Sequence, residues 1–345
     1  MFLVYGKYLL NEEFFVNLYL RYGVALDLFL NSGLVSFYEI IESQPLIGFA
    51  DYRRVHSTQY VDVLEKIHKT KTSLCGIPPE AVEFERVGVS GTLVATRVAI
   101  ESKGFAYHIG GGYHHGMPDG PYSIDYCNDI AIALALLFEN GFKRILYIDL
   151  DAHHPNGVQE IFRDENRILQ VSIHCRTANV LGHHTYIGEK NSLGRIINIQ
   201  IPRQTGDRVY MEILRAVMGS VVESYEPDAI FYQAGVDSYK GDSVGQLSLS
   251  LRCLYERDRL IALTFLGNVP FVAVLGGGYH PVKAPQAIVN TLAAFAGQDI
   301  IFDEQESKGF LSGGRGVRWY NSLCALLEPY MHLHRIEREE FYAQD

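Results

Sequence analysis

The sequence predicts an α/β fold in which helices flank one central, mainly parallel β-sheet. From about residue 100 onward, short apolar runs rich in β-branched residues alternate with longer helical patterns, which is typical of repeated βα units. The chain has 345 residues, 48% of them hydrophobic, and can therefore bury a large core. Because no internal repeat, low-complexity tract or Pro/Ser-rich linker interrupts it, we expect residues 1–345 to form a single domain.

The predicted strands are short apolar runs, and the predicted helices fill the gaps between them. The strands are residues 105–109, 145–150, 168–173, 196–201, 229–233 and 269–275. Helical patterns include residues 128–140, 208–224, 251–267 and 285–295. Within the first 70 residues, the pattern predicts one short strand at residues 2–5, followed by mostly helical segments.

Composition narrows the class of function. A net charge of -10 and the lack of any Lys/Arg run of five or more argue against direct binding of nucleic acid. Five scattered cysteines without a CxxC pair favour a reducing compartment over a disulfide framework. No secretory signal is evident, and the apolar stretch 14–30 is interrupted by Asn17, Arg21 and Asp27, so it is a poor membrane span. We therefore expect a cytoplasmic protein with no membrane partner.

Polar clusters follow four of the predicted strands. HIGGGYHH follows the strand at 105, YIDLDAHH the strand at 145, QAGVDS the strand at 229, and LGGGYH the strand at 269. In open parallel α/β sheets, ligands bind outside the carboxyl ends of the strands. These four segments, distant in sequence, should therefore converge on one edge of the sheet.

The first cluster of candidate metal ligands is Asp151 and His153. Residues two apart in an extended segment point the same way, so both side chains can face one metal ion. Asp237, at the end of another apolar strand, is the natural third ligand, although an aspartate there is more often a turn or cap residue. Two aspartates and one histidine favour Zn²⁺, with Fe²⁺ or Co²⁺ possible, and a catalytic zinc site needs about three such ligands and one open position.

Two further motifs supply candidate catalytic groups. His114 and His115 follow three glycines, and a neutral histidine beside an activated water can take its proton. Taken alone, adjacent histidines in a Gly-rich loop are more often exposed surface residues or adventitious metal binders. Tyr279 ends an LGGGY segment, and its hydroxyl could stabilise the oxyanion of a tetrahedral intermediate. Without the other motifs it would be an ordinary turn tyrosine, and no GxGxxG or GxxxxGK[ST] pattern supports a nucleotide site.

Together these segments resemble the histone deacetylase family, whose arginase/deacetylase fold is shared with acetoin utilisation proteins and acetylpolyamine amidohydrolases. The resemblance extends over about residues 45–300, the motif-bearing core. It is carried by the ordered motifs GGYHH, YCNDIAIA, IDLDAHHPNGVQ, VSIH, GVDSYKGD and GGGY. It implies an arginase/deacetylase-like fold and a zinc-dependent hydrolase that removes acetyl or similar acyl groups from amines.

The resemblance also implies a role for each matching residue. Zinc would be held by Asp151, His153 and Asp237. His115 would act as general base and acid, His114 as its electrostatic partner, and Tyr279 would polarise the scissile carbonyl. A structural K⁺ would lie near Asp149 and Ser172, and a second monovalent ion near Phe162.

The sequence departs from the family pattern at several of these positions. Asn156 stands where several members carry the aspartate that contacts the general base, although other classes of the family also carry asparagine there; it should make His115 more acidic than an aspartate partner would. Asn156 and His154 would lie directly behind the site. The acyl-lysine tunnel would be lined by Gly112, Tyr113, Ile124, Val244 and Gly277. Ile124 replaces a frequent aromatic, and Val244 replaces leucine rather than the glutamate associated with polyamine preference. Pro155 replaces a glycine, and no HPERP run is present.

The sequence is compatible with three hypotheses about the function. The first is an N-acyl-lysine deacylase acting on proteins or peptides. The second is a deacetylase of a small metabolite such as an acetylated polyamine. The third is a non-catalytic acyl-binding protein of the same fold, which the presence of all six principal residues disfavours. The extra Asp/His ligands of an arginase-like dimanganese enzyme are not evident, and the sequence does not define the oligomeric state.

Overall fold

A computed structural model describes residues 1–6, 16–43, 48–176, 195–267 and 269–307 of the chain. These residues form one eight-stranded sheet, with every pair of neighbouring strands parallel. The strands are β1 Phe2–Gly6, β2 Glu39–Ser43, β3 Phe105–His108, β4 Ile145–Asp149, β5 Ile168–Cys175, β6 Ile196–Ile201, β7 Ala229–Gln233 and β8 Phe271–Val274. Their order across the sheet is β2-β1-β3-β8-β7-β4-β5-β6. The predicted α/β class with a parallel sheet is confirmed.

Every residue of β3, β4, β5, β7 and β8 is buried. This burial indicates that helices cover both faces of the sheet. The helices are α1 Val16–Leu30, α2 Phe49–Tyr52, α3 Thr58–Thr70, α4 Pro79–Ser102, α5 Asp129–Glu139, α6 Asn156–Ile161, α7 Asp207–Ser224, α8 Leu251–Phe265 and α9 Lys283–Phe295. The four predicted helices correspond to α5, α7, α8 and α9. None of the described helices is long and apolar enough to cross a membrane.

One strand was not predicted. β2 pairs with β1 at the edge of the sheet, and all but one of its residues are at least partly exposed. Its sequence, EIIES, is too short and too polar for a buried strand, so its position beside β1 decides its structure. Of the cysteines, Cys324 lies outside the described residues, Cys75 is exposed, and the other three are buried.

The strand order explains why the four polar clusters meet. β3, β8, β7 and β4 are consecutive across the middle of the sheet. Because the strands are parallel, their carboxyl ends lie along the same edge, and each is followed directly by one of the four polar segments. The predicted convergence of the four segments is confirmed.

Candidate metal centre and active site

Three side chains form a possible metal-binding cluster at this edge. One ligand atom from each of Asp151, His153 and Asp237 lies within 4.8 Å of the other two. His153 Nδ1 is 3.0 Å from Asp151 Oδ1 and 2.8 Å from Asp237 Oδ2. Asp151 follows β4 and Asp237 follows β7, and these two strands are neighbours in the sheet. The topology therefore brings the predicted ligand set together.

The charge and bonding of this cluster fit a cation. Asp237 Oδ2 is buried and accepts no well-formed hydrogen bond in the described part of the chain. Burial alone would lower the pKa of His153, yet the charges of Asp237 and Asp151 raise it to about 11. Burial and the charge of Asp151 raise the pKa of Asp237 to about 7. Both shifts arise because two carboxylates lie close together in a largely buried site, and a bound cation would neutralise their charge.

The paired histidines lie against this cluster in different environments. His114 Nδ1 is 2.9 Å from Asp149 Oδ2, and its Nε2 is 3.1 Å from His115 Nε2. Burial works against charge on His114, but Asp149 and Asp151 raise its pKa to about 9. Burial and the neighbouring His114 hold the pKa of His115 well below its usual value. At neutral pH the pair therefore consists of a cationic His114 and a neutral His115.

Asn156 fixes the orientation of His115. The His115 Nδ1–H donates to Asn156 Oδ1, 2.5 Å away, which leaves His115 Nε2 as the unprotonated nitrogen. This hydrogen bond raises the pKa of His115, although burial and His114 outweigh it. Asn156 begins α6, immediately after Pro155. The Nε2 atom of the neighbouring His154 is 2.8 Å from Gln159 Oε1.

Two glycine-rich loops approach each other closely beside the cluster. Gly112 has φ +87°, and a Cβ on it would lie 2.5 Å from Gly276 Cα. Asp129, at the start of α5, accepts hydrogen bonds from the backbone N–H groups of Gly112 and Tyr113. Gly277 N donates to Asp151 Oδ2 at 2.7 Å. The glycines therefore allow backbone groups to approach the candidate metal site where a side chain would not fit.

Tyr279 is held at the edge of the same pocket. Its backbone N–H donates to Asp242 Oδ2 at 2.7 Å, and Asp242 belongs to the GVDSYKGD motif. Burial raises the pKa of Tyr279 well above its usual value, and the charges of Asp151 and Asp237 raise it further. The hydroxyl therefore stays protonated and can donate a hydrogen bond at any physiological pH.

All five predicted tunnel residues line one pocket together with the two histidines, Asp151, His153 and Tyr279. The space inside it, with its open mouth included, amounts to about 820 Å³. Ile124 and Val244 are 49% and 42% exposed and mark the mouth. Tyr113 is 7% exposed and packs against Phe84 of α4.

The predicted potassium ligands are already engaged in hydrogen bonds. Asp149 Oδ1 accepts from Asp151 N at 3.0 Å, while its Oδ2 contacts His114 and the hydroxyl of Tyr147. Ser172 lies beside Asp149 in the β4–β5 register, and its hydroxyl is 2.8 Å from His174 Nδ1. A K⁺ ion at this position stays a prediction.

Sequence reasoning missed two residues that touch the loops of the site. Gln233, the last residue of β7, places its amide nitrogen 3.2 Å from Gly112 O and 3.1 Å from His114 Nδ1. Arg21, on α1, donates to the carbonyls of Gly276 and Gly278. Gln233 stands in the QAGVDS segment and could have been found as the polar end of an apolar strand. Arg21 lies far from every motif, and no pattern marks it.

Arg257 is a third missed residue and lies beneath the metal cluster. It is fully buried on α8, and its guanidinium donates to the carbonyls of Leu150 at 3.2 Å and Gly235 at 2.7 Å. Leu150 immediately precedes Asp151, and Gly235 is two residues before Asp237. Asp258 accepts from Arg257 Nε at 2.8 Å and balances its charge. One buried cation thus links the two backbone segments that carry the candidate carboxylate ligands.

Comparison with known proteins agrees with this architecture. The chain is 30% identical over 282 residues to the acetoin utilization protein AcuC of Staphylococcus aureus, a match that covers 76% of this chain and 72% of that protein. A probable deacetylase of Archaeoglobus fulgidus is 29% identical over 291 residues, with 81% of each chain covered. An uncharacterized protein of Picosynechococcus is 33% identical over 210 residues, which span 59% of this chain and 66% of that relative. The model of the histone deacetylase domain matches residues 20–295, and the chain therefore belongs to the histone deacetylase family.

Proposed function

We propose that this protein is a zinc-dependent deacylase that hydrolyses the amide bond of an N-acetylated or similarly acylated lysine. One observation carries the proposal: Asp151 and His153 of the buried three-residue cluster line the same pocket as a neutral His115 and the protonated Tyr279. Hydrolysis of an amide needs an electrophilic centre, a base and an oxyanion donor, and these groups can supply them. The names of the relatives, a probable deacetylase and an acetoin utilization protein, support the same class of reaction.

Asp151, His153 and Asp237 would hold the zinc ion. When bound, zinc would act as a Lewis acid toward the acyl carbonyl and would increase the acidity of a water molecule in the pocket. The protein's own contribution is to fix the ligands. Gly277 N and Ala152 N donate to the carboxylates of Asp151 and Asp237, at 2.7 and 2.8 Å respectively. These bonds hold each carboxylate in one orientation.

His115 would act as the base and then as the acid. Its Nε2 lacks a proton because Nδ1–H is directed to Asn156, and its low pKa keeps the ring neutral. It can therefore take a proton from the attacking water and return it to the nitrogen of the leaving amine. His114 keeps its positive charge through Asp149 and stabilises the negative charge that develops beside it.

Tyr279 would donate a hydrogen bond to the carbonyl oxygen as it becomes an oxyanion. Its backbone is held by Asp242, and its hydroxyl remains protonated. Lysine fits as the carrier because the mouth of the pocket is apolar at Ile124 and Val244, which can pack against the methylene chain of a lysine side chain. The products would be the free acid and the free amine.

The test is turnover of fluorogenic N-acyl-lysine peptides and of acetylated polyamines by protein of measured zinc content. We expect cleavage of the lysine peptides that a hydroxamate chelator inhibits. Asp237→Ala should lose both zinc and turnover, whereas Asp62→Ala, on an exposed surface of α3, should keep both. A zinc-loaded protein that cleaves none of these substrates would refute the proposal, and cleavage of the polyamines alone would replace the carrier.

A further inference from the structure

The segment after β7 carries an aspartate whose two carboxylate oxygens bond to different parts of the site. Asp242 Oδ2 accepts from the backbone N–H of Tyr279 at 2.7 Å. Asp242 Oδ1 accepts from the N–H groups of Val244 at 2.9 Å and Gly245 at 3.1 Å. Asp242 itself is half-buried and is not among the residues that line the pocket. Its carboxylate therefore acts from outside the pocket on the backbone of Val244 and Tyr279, which do line it.

The bonds of Asp242 Oδ1 hold one wall of the mouth against the metal cluster. Val244 is 42% exposed at the mouth. The next residue, Gly245, is buried, and a Cβ on it would clash with the backbone carbonyl of Asp237. This short segment is therefore packed directly against the backbone of a candidate metal ligand. Since Oδ1 bonds to both of its N–H groups, it also fixes where Val244 stands relative to the cluster.

The bond of Asp242 Oδ2 holds the segment that carries the candidate oxyanion donor. Tyr279 follows three glycines, and two of them, Gly276 and Gly278, have φ of +81° and +149°. Glycines leave a backbone with many accessible conformations, so this loop needs bonds from outside to stay in one of them. Arg21 donates to the carbonyls of the two glycines. Asp242 binds the tyrosine itself, through its N–H group.

We propose that Asp242 is a positioning residue, which holds the hydroxyl of Tyr279 at a set distance from the mouth of the pocket. One carboxylate defines both ends of that distance, because one oxygen bonds to Tyr279 and the other to Val244 and Gly245. An acyl-lysine that packs against Val244 would then present its carbonyl oxygen to a hydroxyl already in place. A donor positioned in advance is effective because it need not reorient as charge develops. The inference rests on the proposed function for the role of that hydroxyl.

Asp242→Asn separates the two bonds of the carboxylate. The amide oxygen can still accept from Val244 N and Gly245 N, but the amide NH₂ group then faces the N–H of Tyr279, donor against donor. We expect kcat for an acetyl-lysine peptide to fall by about 10- to 100-fold, while KM stays close to that of the parent protein. The zinc Kd should not change, because Asp242 bonds to backbone N–H groups and not to the ligand side chains.

A double-mutant cycle distinguishes positioning from a general structural effect. If Asp242 acts through Tyr279, then Asp242→Asn should lower kcat in the parent protein but hardly change it in Tyr279→Phe protein, where the hydroxyl is absent. Asp242→Ala removes both sets of bonds and serves as a second variant in the same cycle. A loss by the same factor in both backgrounds, or no loss in the parent protein, would overturn the inference.

The same cycle can be measured without turnover, as the Kd of a hydroxamate with zinc-loaded protein. The hydroxamate carbonyl offers an acceptor to the hydroxyl of Tyr279. Asp242→Asn should therefore weaken binding by about two- to tenfold in the parent protein, and not in Tyr279→Phe protein. Equal weakening in both backgrounds would overturn the inference. This readout decides the role of Asp242 even if no peptide is cleaved, an outcome that would refute only the proposed function.

The matched control is Asp228→Asn, the same chemical change at the other end of the strands. Asp228 is also half-buried, and its two oxygens accept from Lys143 N at 2.8 Å and Arg144 N at 3.0 Å. It lies at the amino ends of β4 and β7, whereas the site lies at their carboxyl ends. The control should leave kcat and the hydroxamate Kd unchanged, which would show that the loss of a backbone-binding carboxylate is not sufficient.

Discussion

Replacing Arg257 with methionine should weaken both the fold and the candidate metal site. The substitution removes hydrogen bonds to the carbonyls of Leu150 and Gly235 and leaves the carboxylate of Asp258 without its buried partner. Breaking a buried ion pair by removing one member typically costs about 3–5 kcal/mol, so we expect a loss of that size in the free energy of unfolding. Asp258 keeps the hydroxyls of Tyr232 and Thr291, which places the expected loss toward the lower end.

Metal affinity should change for a separate reason. The two carbonyls lie one and two residues before Asp151 and Asp237, so without the guanidinium these backbone segments are free to shift. Groups that orient metal ligands commonly contribute about 10- to 100-fold in affinity. Because Arg257 acts through the backbone, we expect about a tenfold weaker zinc Kd, near the lower limit of that range.

Two measurements separate these effects. Urea unfolding gives the free energy of unfolding, and competition with a chromophoric chelator gives the zinc Kd of the folded protein. Arg257→Met with Asp258→Asn should be less destabilised than Arg257→Met alone, because no buried charge is left unpaired. The matched control is Arg97→Met, an exposed position on α4, which should change stability by less than about 0.5 kcal/mol. If Arg257→Met binds zinc as tightly as the parent protein, the guanidinium does not position the ligands.

Three further substitutions test individual groups. Tyr279→Phe should keep zinc and lose about 10²- to 10³-fold in kcat, and undiminished turnover would exclude the oxyanion role of the hydroxyl. Asn156→Asp places a carboxylate beside His115 Nδ1 and should raise the pKa of that base. The acid limb of the plot of kcat/KM against pH should therefore move to higher pH. An unchanged acid limb would mean that another group is the base. Asp125→Asn tests a buried carboxyl group, since burial raises the pKa of Asp125 to about 7 in the folded state. Its titration should lower the free energy of unfolding as the pH rises from about 4 to 7. Between pH 5 and pH 8, urea unfolding should therefore show a smaller loss of stability for the variant than for the parent protein.

The parallel sheet and the meeting of its polar clusters could be predicted because both follow from local pattern. Apolar runs such as Ile145–Asp149 and Ala229–Gln233 are buried on both faces, and this makes them visible as strands. Each is followed at once by polar residues, and parallel strands place such residues at one edge. Since β4 and β7 are neighbours in the sheet, the spacing of Asp151 and Asp237 in space follows from the topology.

The supporting residues could not be predicted, because their roles depend on contacts between segments far apart in the chain. Arg21 reaches the carbonyl of Gly278 across 257 positions, and Arg257 reaches Leu150 across 107. A single arginine within a helical pattern has the same appearance whether it is exposed or buried. The strand β2 was missed for a similar reason, since its pairing with β1 is a tertiary contact rather than a property of EIIES.

The neutral side chain of Asn156 is consistent with the distribution of charge around the two histidines. Asp149 and Asp151 raise the pKa of His114, whereas Asn156 gives His115 a neutral acceptor, and burial and His114 outweigh the charge of Asp151 there. One histidine of the pair therefore stays cationic and the other neutral over the same pH range, although their rings are only 4.1 Å apart. Different environments thus give two identical side chains separate roles, one holding charge and one accepting a proton. An aspartate at position 156 would make the two environments more alike, so Asn156 helps to keep the base free of its proton.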